Sequence, residues 1–386
     1  MNWELITALI IYSIVGLIIF FNRKRFEWIQ GLILGYRTKR PLAWMDFLKP
    51  RNFFWKIYST ICIPIGFYFM PQLVYMLGVK AFEILTSPGA GAGVAVVIPG
   101  LRIPGSPIYI PIFQGIIAIC VMIIVHEMAH GIISKSEGIT VKNAGFGMFL
   151  VFPLFFVEPD EKKLVKSSKL SRLRMISAGA GTNIILAFVV LGLLTVTMIP
   201  FMSDNSVYAG LTITGTIEGY PAAAANMAND LVITGINGVE TLNLTDFNTA
   251  LMSYSPGEGI VINTDGGDYA IITANNPSND SLPYVGVYLE NNVDFSAEAK
   301  LFYGESVLAI ISFVYETLLW VAFLNLSIGI MNLLPIWGLD GSKMLYDLLS
   351  YVMKERRAQT IVSIISSICI GLLVINIAPF FIGLFT

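Results

Sequence analysis

The stretch that decides the fold is Ile116-Ile-Ala-Ile-Cys-Val-Met-Ile-Ile-Val-His-Glu-Met-Ala-His130. Ten apolar residues run unbroken into His126, Glu127 and, three residues on, His130. These are the two histidines of the 386-residue chain. On a helix, positions i and i+4 share a face with Cβ atoms about 5–6 Å apart. Both imidazoles can therefore reach one metal ion. Glu127 leans to the neighbouring face, where it can take a proton from a water on that ion and give it to a leaving amine. Ionisable groups in so apolar a run are costly and are functional by default. A polar cluster that merely bridges helices does not call for this trio at this spacing.

The rest of the chain fits a membrane setting. It is 55% hydrophobic and 13% charged, where an average soluble domain carries about 25% charged residues. The mean hydropathy is +0.72. Six apolar runs, 4–21, 54–78, 112–134, 173–200, 306–336 and 360–385, are long enough to cross roughly 30 Å of hydrocarbon. The first has no basic residue ahead of it and no evident cleavage site, which makes it an anchor rather than a signal peptide. The fifth is too long for one simple span. Asn332 and Pro335 near its end predict a helix followed by irregular backbone. Cys62, Cys120 and Cys369 lie in apolar runs with no metal-ligand spacing and read as buried small hydrophobes.

Of the 24 Lys and Arg residues, nine lie in 22–56, eight in 135–174 and four in 343–359. Lys80, Arg102 and Lys300 fall in the alternate segments. The positive-inside rule makes the first, third and fifth loops cytoplasmic and both termini extracytoplasmic. The plasma membrane is the expected location, and no nucleic-acid partner is expected.

Four regions follow. Residues 1–110 hold two spans, a basic cytoplasmic loop and a Gly/Pro-rich outer stretch from Ser87 to Pro111, expected to be extended. Residues 111–202 form a membrane core. Within it, Ile139–Val157 is apolar, β-prone and too broken by Gly and Pro for a helix. It is expected to be a β-hairpin or re-entrant loop, tolerated at membrane depth only if covered by protein or lining a wet cavity. Residues 203–300 are polar, with no Lys or Arg before Lys300. Strands are expected at Leu211–Ile217, Leu231–Ile236, Gly259–Asn263, Asp268–Thr273 and Val285–Leu289, and helices at Ala222–Ala228 and Leu244–Met252. Residues 301–386 complete the membrane core.

The 203–300 segment resembles a PDZ domain through Gly219-Tyr-Pro-Ala-Ala223, Asp230-Leu-Val-Ile-Thr-Gly-Ile-Asn-Gly238 and Ser255-Pro-Gly257. The family's usual Gly-Asp is Asn229-Asp230 here. Such domains take an extended peptide as an added strand, so the resemblance implies a peptide ligand. A small β-rich spacer is the simpler alternative.

A catalytic zinc takes three protein ligands and keeps an open position. With both histidines used, a carboxylate or cysteine must supply the third. Cys120 lies on the wrong face of the same helix. Asp340, in Asn332-Leu-Leu-Pro-Ile-Trp-Gly-Leu-Asp-Gly341, is the candidate, because the third and fifth spans both run inward. Asp-Gly is equally a turn pair.

His-Glu-x-x-His in a membrane helix, a later Asn-x-x-Pro-x-x-x-Leu-Asp-Gly and a PDZ-like insert between them together resemble the site-2 protease family. The resemblance covers 112–200 and 306–350 well and the insert loosely. It implies one Zn2+ per chain held by His126, His130 and Asp340, with Glu127 as general base. A further family element, Gly-Pro-x-x-Asn, falls on Gly179-Ala-Gly-Thr-Asn183, with Ala180 in place of proline. Asn183 keeps its position, as a donor to substrate or oxyanion or as an interhelical hydrogen bond. Asn332 is expected to hold the broken helix that presents Asp340, and Glu316, far from the zinc, to be structural.

The expected fold is a polytopic α-helical membrane protein with about six transmembrane helices and an inserted extracytoplasmic PDZ-like α+β domain. The expected function is an intramembrane zinc metalloprotease, its active site toward the cytoplasm. It would hydrolyse peptide bonds within or beside the transmembrane segments of membrane-protein substrates in the lipid bilayer. The alternatives are a zinc-binding scaffold, which leaves Glu127 without a role, and a transporter, which calls for internal repeats that are absent.

Overall fold

Five helices in the computed structural model are long and apolar enough to span a membrane: Asn52–Thr86, Ile112–Ser136, Lys169–Asn205, Glu305–Met331 and Glu355–Ile382. The structure describes residues 6, 10, 13–14, 16–17, 19–29, 33–48, 52–87, 91–95, 97–101, 108–149, 152–277 and 279–383. Half of the expected first span, 4–21, lies outside them, as does part of the Gly/Pro-rich stretch. There, Ile98 and Leu101 form an isolated bridge.

The chain divides into two compact units, one of 1–194 with 313–386 and one of 195–312. The first opens with strands β1 (Glu27–Ile29) and β2 (Ile33–Thr38), then helix α1 (Arg40–Leu48) and the span α2 (Asn52–Thr86). The His-Glu-x-x-His sequence lies on α3 (Ile112–Ser136), which leads into β3 (Val141–Phe149) and β4 (Phe152–Pro159). Helix α4 (Glu161–Lys166) precedes the span α5 (Lys169–Val196). Within its most apolar window α3 is 39% buried, against 22% for the other four spans, so it is the central helix. Pro64 and Pro71 lie inside α2, which membrane helices tolerate because neighbours re-satisfy the freed carbonyls.

The 139–157 segment is the expected hairpin, but it does not stand alone. β3 pairs with β4 and with β2, giving one antiparallel sheet in the order β1-β2-β3-β4. The first basic loop therefore supplies half of the sheet, which its charge pattern did not reveal. Arg37 on β2 reaches across β3 to Glu158 on β4 at 3.1 Å and also pairs with Glu27 on β1. Burial pushes the Glu158 carboxyl up, but hydrogen bonds from Asn143 and Arg37 outweigh it and hold the group below its ordinary value.

The second unit contains α6 (Met198–Asn205), β5 (Ser206–Thr216), α7 (Pro221–Ala224), β6 (Val232–Ile236), β7 (Val239–Glu240) and α8 (Leu244–Leu251). It continues through β8 (Gly259–Thr264), β9 (Gly267–Ile272), β10 (Ala274–Asn276), β11 (Asn279–Tyr284), β12 (Val287–Phe295) and α9 (Ala297–Tyr303). The main sheet runs β12-β5-β6-β8-β9, with β7 on β6, around a core that includes Leu211, Ile213, Ile233, Ile236, Phe247 and Ile262. Asn237 and Gly238, both at positive φ, make the tight turn between β6 and β7. The small β10–β11 hairpin was not anticipated.

The span α10 (Glu305–Met331) ends four residues short of Pro335, and irregular backbone leads to α11 (Asp340–Val352) and the last span, α12 (Glu355–Gly383). The turn is tight. Gly338 sits at φ +97°, and a Cβ on Gly341 would lie 2.0 Å from the Leu333 carbonyl oxygen. Arg172, at the start of α5, makes a fork onto Asp347 of α11 at 2.8–3.1 Å. Two residues on, Arg174 reaches Glu137 at the end of α3 at 3.1 Å. Side-chain exposure is 3% for Asp347 and 5% for Glu137. One short stretch of α5 thus ties together the helices that carry the histidines and Asp340. Removing one partner of such a buried pair costs about 3–5 kcal/mol. Asp347→Ala should therefore lower the thermal midpoint of the detergent-solubilised protein clearly, whereas Asp268→Ala, on the exposed β9 strand, should not.

Candidate metal centre

His126 and His130 project from adjacent turns of α3, and α11 begins at Asp340 with its side chain turned toward them. The Nε2 atoms of the two histidines are 3.2 Å apart. Asp340 Oδ2 lies 3.3 Å from Nε2 of His126 and 3.1 Å from Nε2 of His130. A tetrahedral zinc with ligands at about 2.0–2.1 Å has ligand-to-ligand edges of roughly 3.3 Å. The three atoms thus form a triangle of the size that zinc requires. His126 and Asp340 are 9% and 7% exposed.

The outer contacts prepare the same atoms. His130 donates its Nδ1–H to the Met175 carbonyl at 2.8 Å. A carbonyl can only accept, so in the neutral ring the free lone pair is on Nε2, where a metal would sit. Asp340 accepts from Lys343 on Oδ1 at 3.2 Å, leaving Oδ2 to the histidines. The Asn183 amide lies 3.3 Å from His126 Nδ1, and its Oδ1 is otherwise buried without a partner. A half-turn of the amide lets Oδ1 accept the Nδ1–H of His126 and frees Nε2 there too. Asn183 is fully buried behind the ring, which suits support of His126 rather than contact with substrate.

Two glycines make room. A Cβ on Gly179 would lie 2.4 Å from His130 Nε2 and 2.7 Å from His126 Nε2. A Cβ on Gly329 would lie 3.1 Å from that of Asn183. Small residues at these crossings let α5 close on α3 and α10 close on α5. Asn332 contributes through its main chain, its carbonyl accepting the Gly341 N–H at 2.9 Å.

Glu127 points to the sheet side. Its Oε2 accepts the Val157 N–H at 3.0 Å. β4 is the last strand of its sheet among the described residues, so this donor belongs to an open edge. Sequence reading identified the three candidate ligands, Glu127 and Asn183. It missed Met175 and Val157, whose contributions are backbone groups and leave no residue signature. Gly179 was quoted only as part of a motif. Glu316, set aside as structural, accepts from Gln114 of α3 at 3.0 Å, twelve residues before His126.

Apolar spanning helices here bring together two histidines and an aspartate that could hold one metal ion, beside a glutamate. The chain belongs to peptidase family M50, whose family model matches residues 114–376, and so to the site-2 type of membrane metalloproteases. It is 28% identical over 359 residues to the uncharacterized protein MJ0971 of Methanocaldococcus jannaschii, covering 92% of this chain and 86% of that one. It is 27% identical over 220 residues to the zinc metalloprotease RasP of Shouchella clausii, a match covering 45% of this chain and 50% of RasP. Two solved PDZ domains of SdrC-like proteins, from Listeria monocytogenes and Listeria innocua, match 21% and 22% of the chain at 22% and 21% identity, each with a TM-score of 0.19. They cover 88% and 97% of those structures.

Gly179→Ala should abolish zinc binding in protein that remains monodisperse, because the methyl would occupy the ligand triangle. Asn183→Ala should weaken zinc by about 10–100-fold, the range for loss of a group that orients a metal-bound histidine. Competition with a fluorescent chelator measures both. Wild-type affinity in Gly179→Ala would place the metal elsewhere, and wild-type affinity in Asn183→Ala would remove its role in orienting His126.

Proposed function

We propose that this protein is an intramembrane zinc endopeptidase that hydrolyses peptide bonds within or beside the transmembrane segments of other proteins. The observation that carries the reading is the His126–His130–Asp340 triangle with Glu127 beside it, on spanning helices. Zinc held by these three residues would polarise the scissile carbonyl and make a bound water acidic. Glu127, held by Val157 through Oε2, has Oε1 left to take a proton from water and deliver it to the departing amine nitrogen.

A helical substrate hides its amides and must unwind to be cut. We assign the β4 edge as the surface that receives it as an added strand. Val157 faces outward, so by strand alternation Pro153, Phe155 and Pro159 do too. The prolines have no N–H and the Val157 N–H is taken by Glu127, leaving Phe155 as the outward donor of this stretch. The edge thus registers a short stretch of substrate next to Glu127 and does not invite longer pairing.

The basic-residue pattern supports a cytoplasmic position for the site and an extracytoplasmic one, in the plasma membrane, for the 203–300 domain and both termini. That domain carries the motifs and strand–helix order of a PDZ domain. β12 is the outer strand of its sheet among the described residues, and Asn291 on it accepts from Leu244 at the start of α8 at 2.9 Å. We assign the β12 edge beside α8 as its peptide site, and the domain as a steric filter against substrates with long ectodomains.

Glu127→Gln removes the base but leaves the triangle, so zinc content should stay near normal while cleavage of a membrane-spanning reporter is lost. Asp340→Asn should lower both. Cleavage by Glu127→Gln above a few per cent of wild type would falsify the general-base role, and normal zinc in Asp340→Asn would remove that residue from the site. For topology, reporter fusions at residue 250 should report the extracytoplasmic side and at residue 165 the cytoplasm. The reverse at either position overturns the assigned sidedness.

A further inference from the structure

The helix α1 is short, amphipathic and turned the wrong way for a soluble protein. Met45 is fully buried and Pro41 is buried, while Trp44 and Phe47 are 73% and 77% exposed. Residues three apart share a helix face, so the two aromatics form one outward patch. Phe53 and Phe54, which begin the span α2, are 80% and 55% exposed and extend it. Trp55 donates its indole N–H to the Leu48 carbonyl at 2.9 Å, fixing the end of α1 against the span. The patch therefore lies where a span enters the bilayer, the level at which aromatic residues anchor membrane proteins.

The charge around it is one-sided. Residues 22–56 hold nine Lys and Arg against two acidic residues, Glu27 and Asp46. Both acidic groups are engaged, Glu27 by Arg37 and Asp46 by Lys135. Bulky apolar side chains beside a surplus of basic ones are the composition of a helix lying in the plane of a membrane carrying anionic lipid.

The inner face of α1 bears on the metal-site helix. The Met45 Sδ and Cε atoms stand 2.6 and 2.5 Å from where a Cβ on Gly131, the residue after His130, would lie. Lys135, one turn further on, donates to the Leu42 carbonyl at 2.9 Å and pairs with Asp46 at 2.6 Å.

We propose that α1 is an interfacial helix that binds anionic phospholipid through Trp44, Phe47 and the surrounding basic residues, and that it braces the end of α3 just beyond His130. The inference needs the membrane class of the protein and not the protease reading, and its test reads no cleavage.

The full chain is reconstituted in phosphatidylcholine vesicles with and without phosphatidylglycerol, each containing lipid brominated near the headgroup end of its acyl chains. Bromolipid should quench tryptophan emission less in Trp44→Phe than in wild type, with a larger difference when phosphatidylglycerol is present. Phe47→Trp should add a quenched component. Both positions are exposed, so an equal thermal midpoint in all three proteins serves as the folding control. Amide exchange at 40–48 should slow when phosphatidylglycerol is present, and exchange at 131–136 should slow with it. Equal quenching in Trp44→Phe and wild type, with no gain in Phe47→Trp, overturns the lipid contact. Quenching differences that ignore phosphatidylglycerol overturn the preference for anionic lipid. Slowing at 40–48 without slowing at 131–136 overturns the brace.

Discussion

Two imidazoles and two carboxylates on apolar helices carry a desolvation cost that must be met locally, and the rest of the structure is arranged around meeting it. His130 is met by the Met175 carbonyl, which accepts its Nδ1–H. His126 is met by Asn183. Glu127 is met by the Val157 N–H. Met175 and Asn183 lie on α5, Val157 on β4 and Asp340 on α11, so the cluster exists only when α5, α11 and β4 all close on α3. The same contacts leave one lone pair from each histidine and one oxygen from Asp340 facing a common point. Stability and chemistry therefore make the same demand on the geometry.

The approach of those elements has identifiable causes. Gly179, Gly329 and Gly341 remove the side chains that would hold the backbones apart. Arg172 and Arg174 then fasten α5 to α11 and to the end of α3. These two buried pairs lie at the helix ends, where arginine can keep its stem among apolar groups and its head near water. The sheet is a third fastening, because Arg37 links three of its four strands and the outer strand carries Val157 to Glu127.

The second unit is built on different terms. Its core is a set of aliphatic side chains from β5, β6, β8 and β9 together with Phe247 and Leu251 of α8. Its strands alternate as half-buried strands should, and the expected positions of its five main strands agree with those observed to within a few residues, apart from the ends of β5 and β12. Local pattern sufficed because every strand has one wet face.

In the membrane unit the division was different. The sequence by itself determined five of the six expected apolar spans, the hairpin after α3, the break in the fifth apolar run and the histidine pair of the triangle, because hydrophobic run length and the spacing of two histidines are local properties. Only the tertiary structure decided which nitrogen of each ring faces the centre, that Asn183 lies behind His126, that Asn332 acts through its carbonyl, and that the first basic loop joins the sheet. Those facts rest on backbone carbonyls, backbone N–H groups and strand pairing between distant segments. A main-chain group is the same in every residue, so no spacing of side chains in the sequence can announce where it will be used.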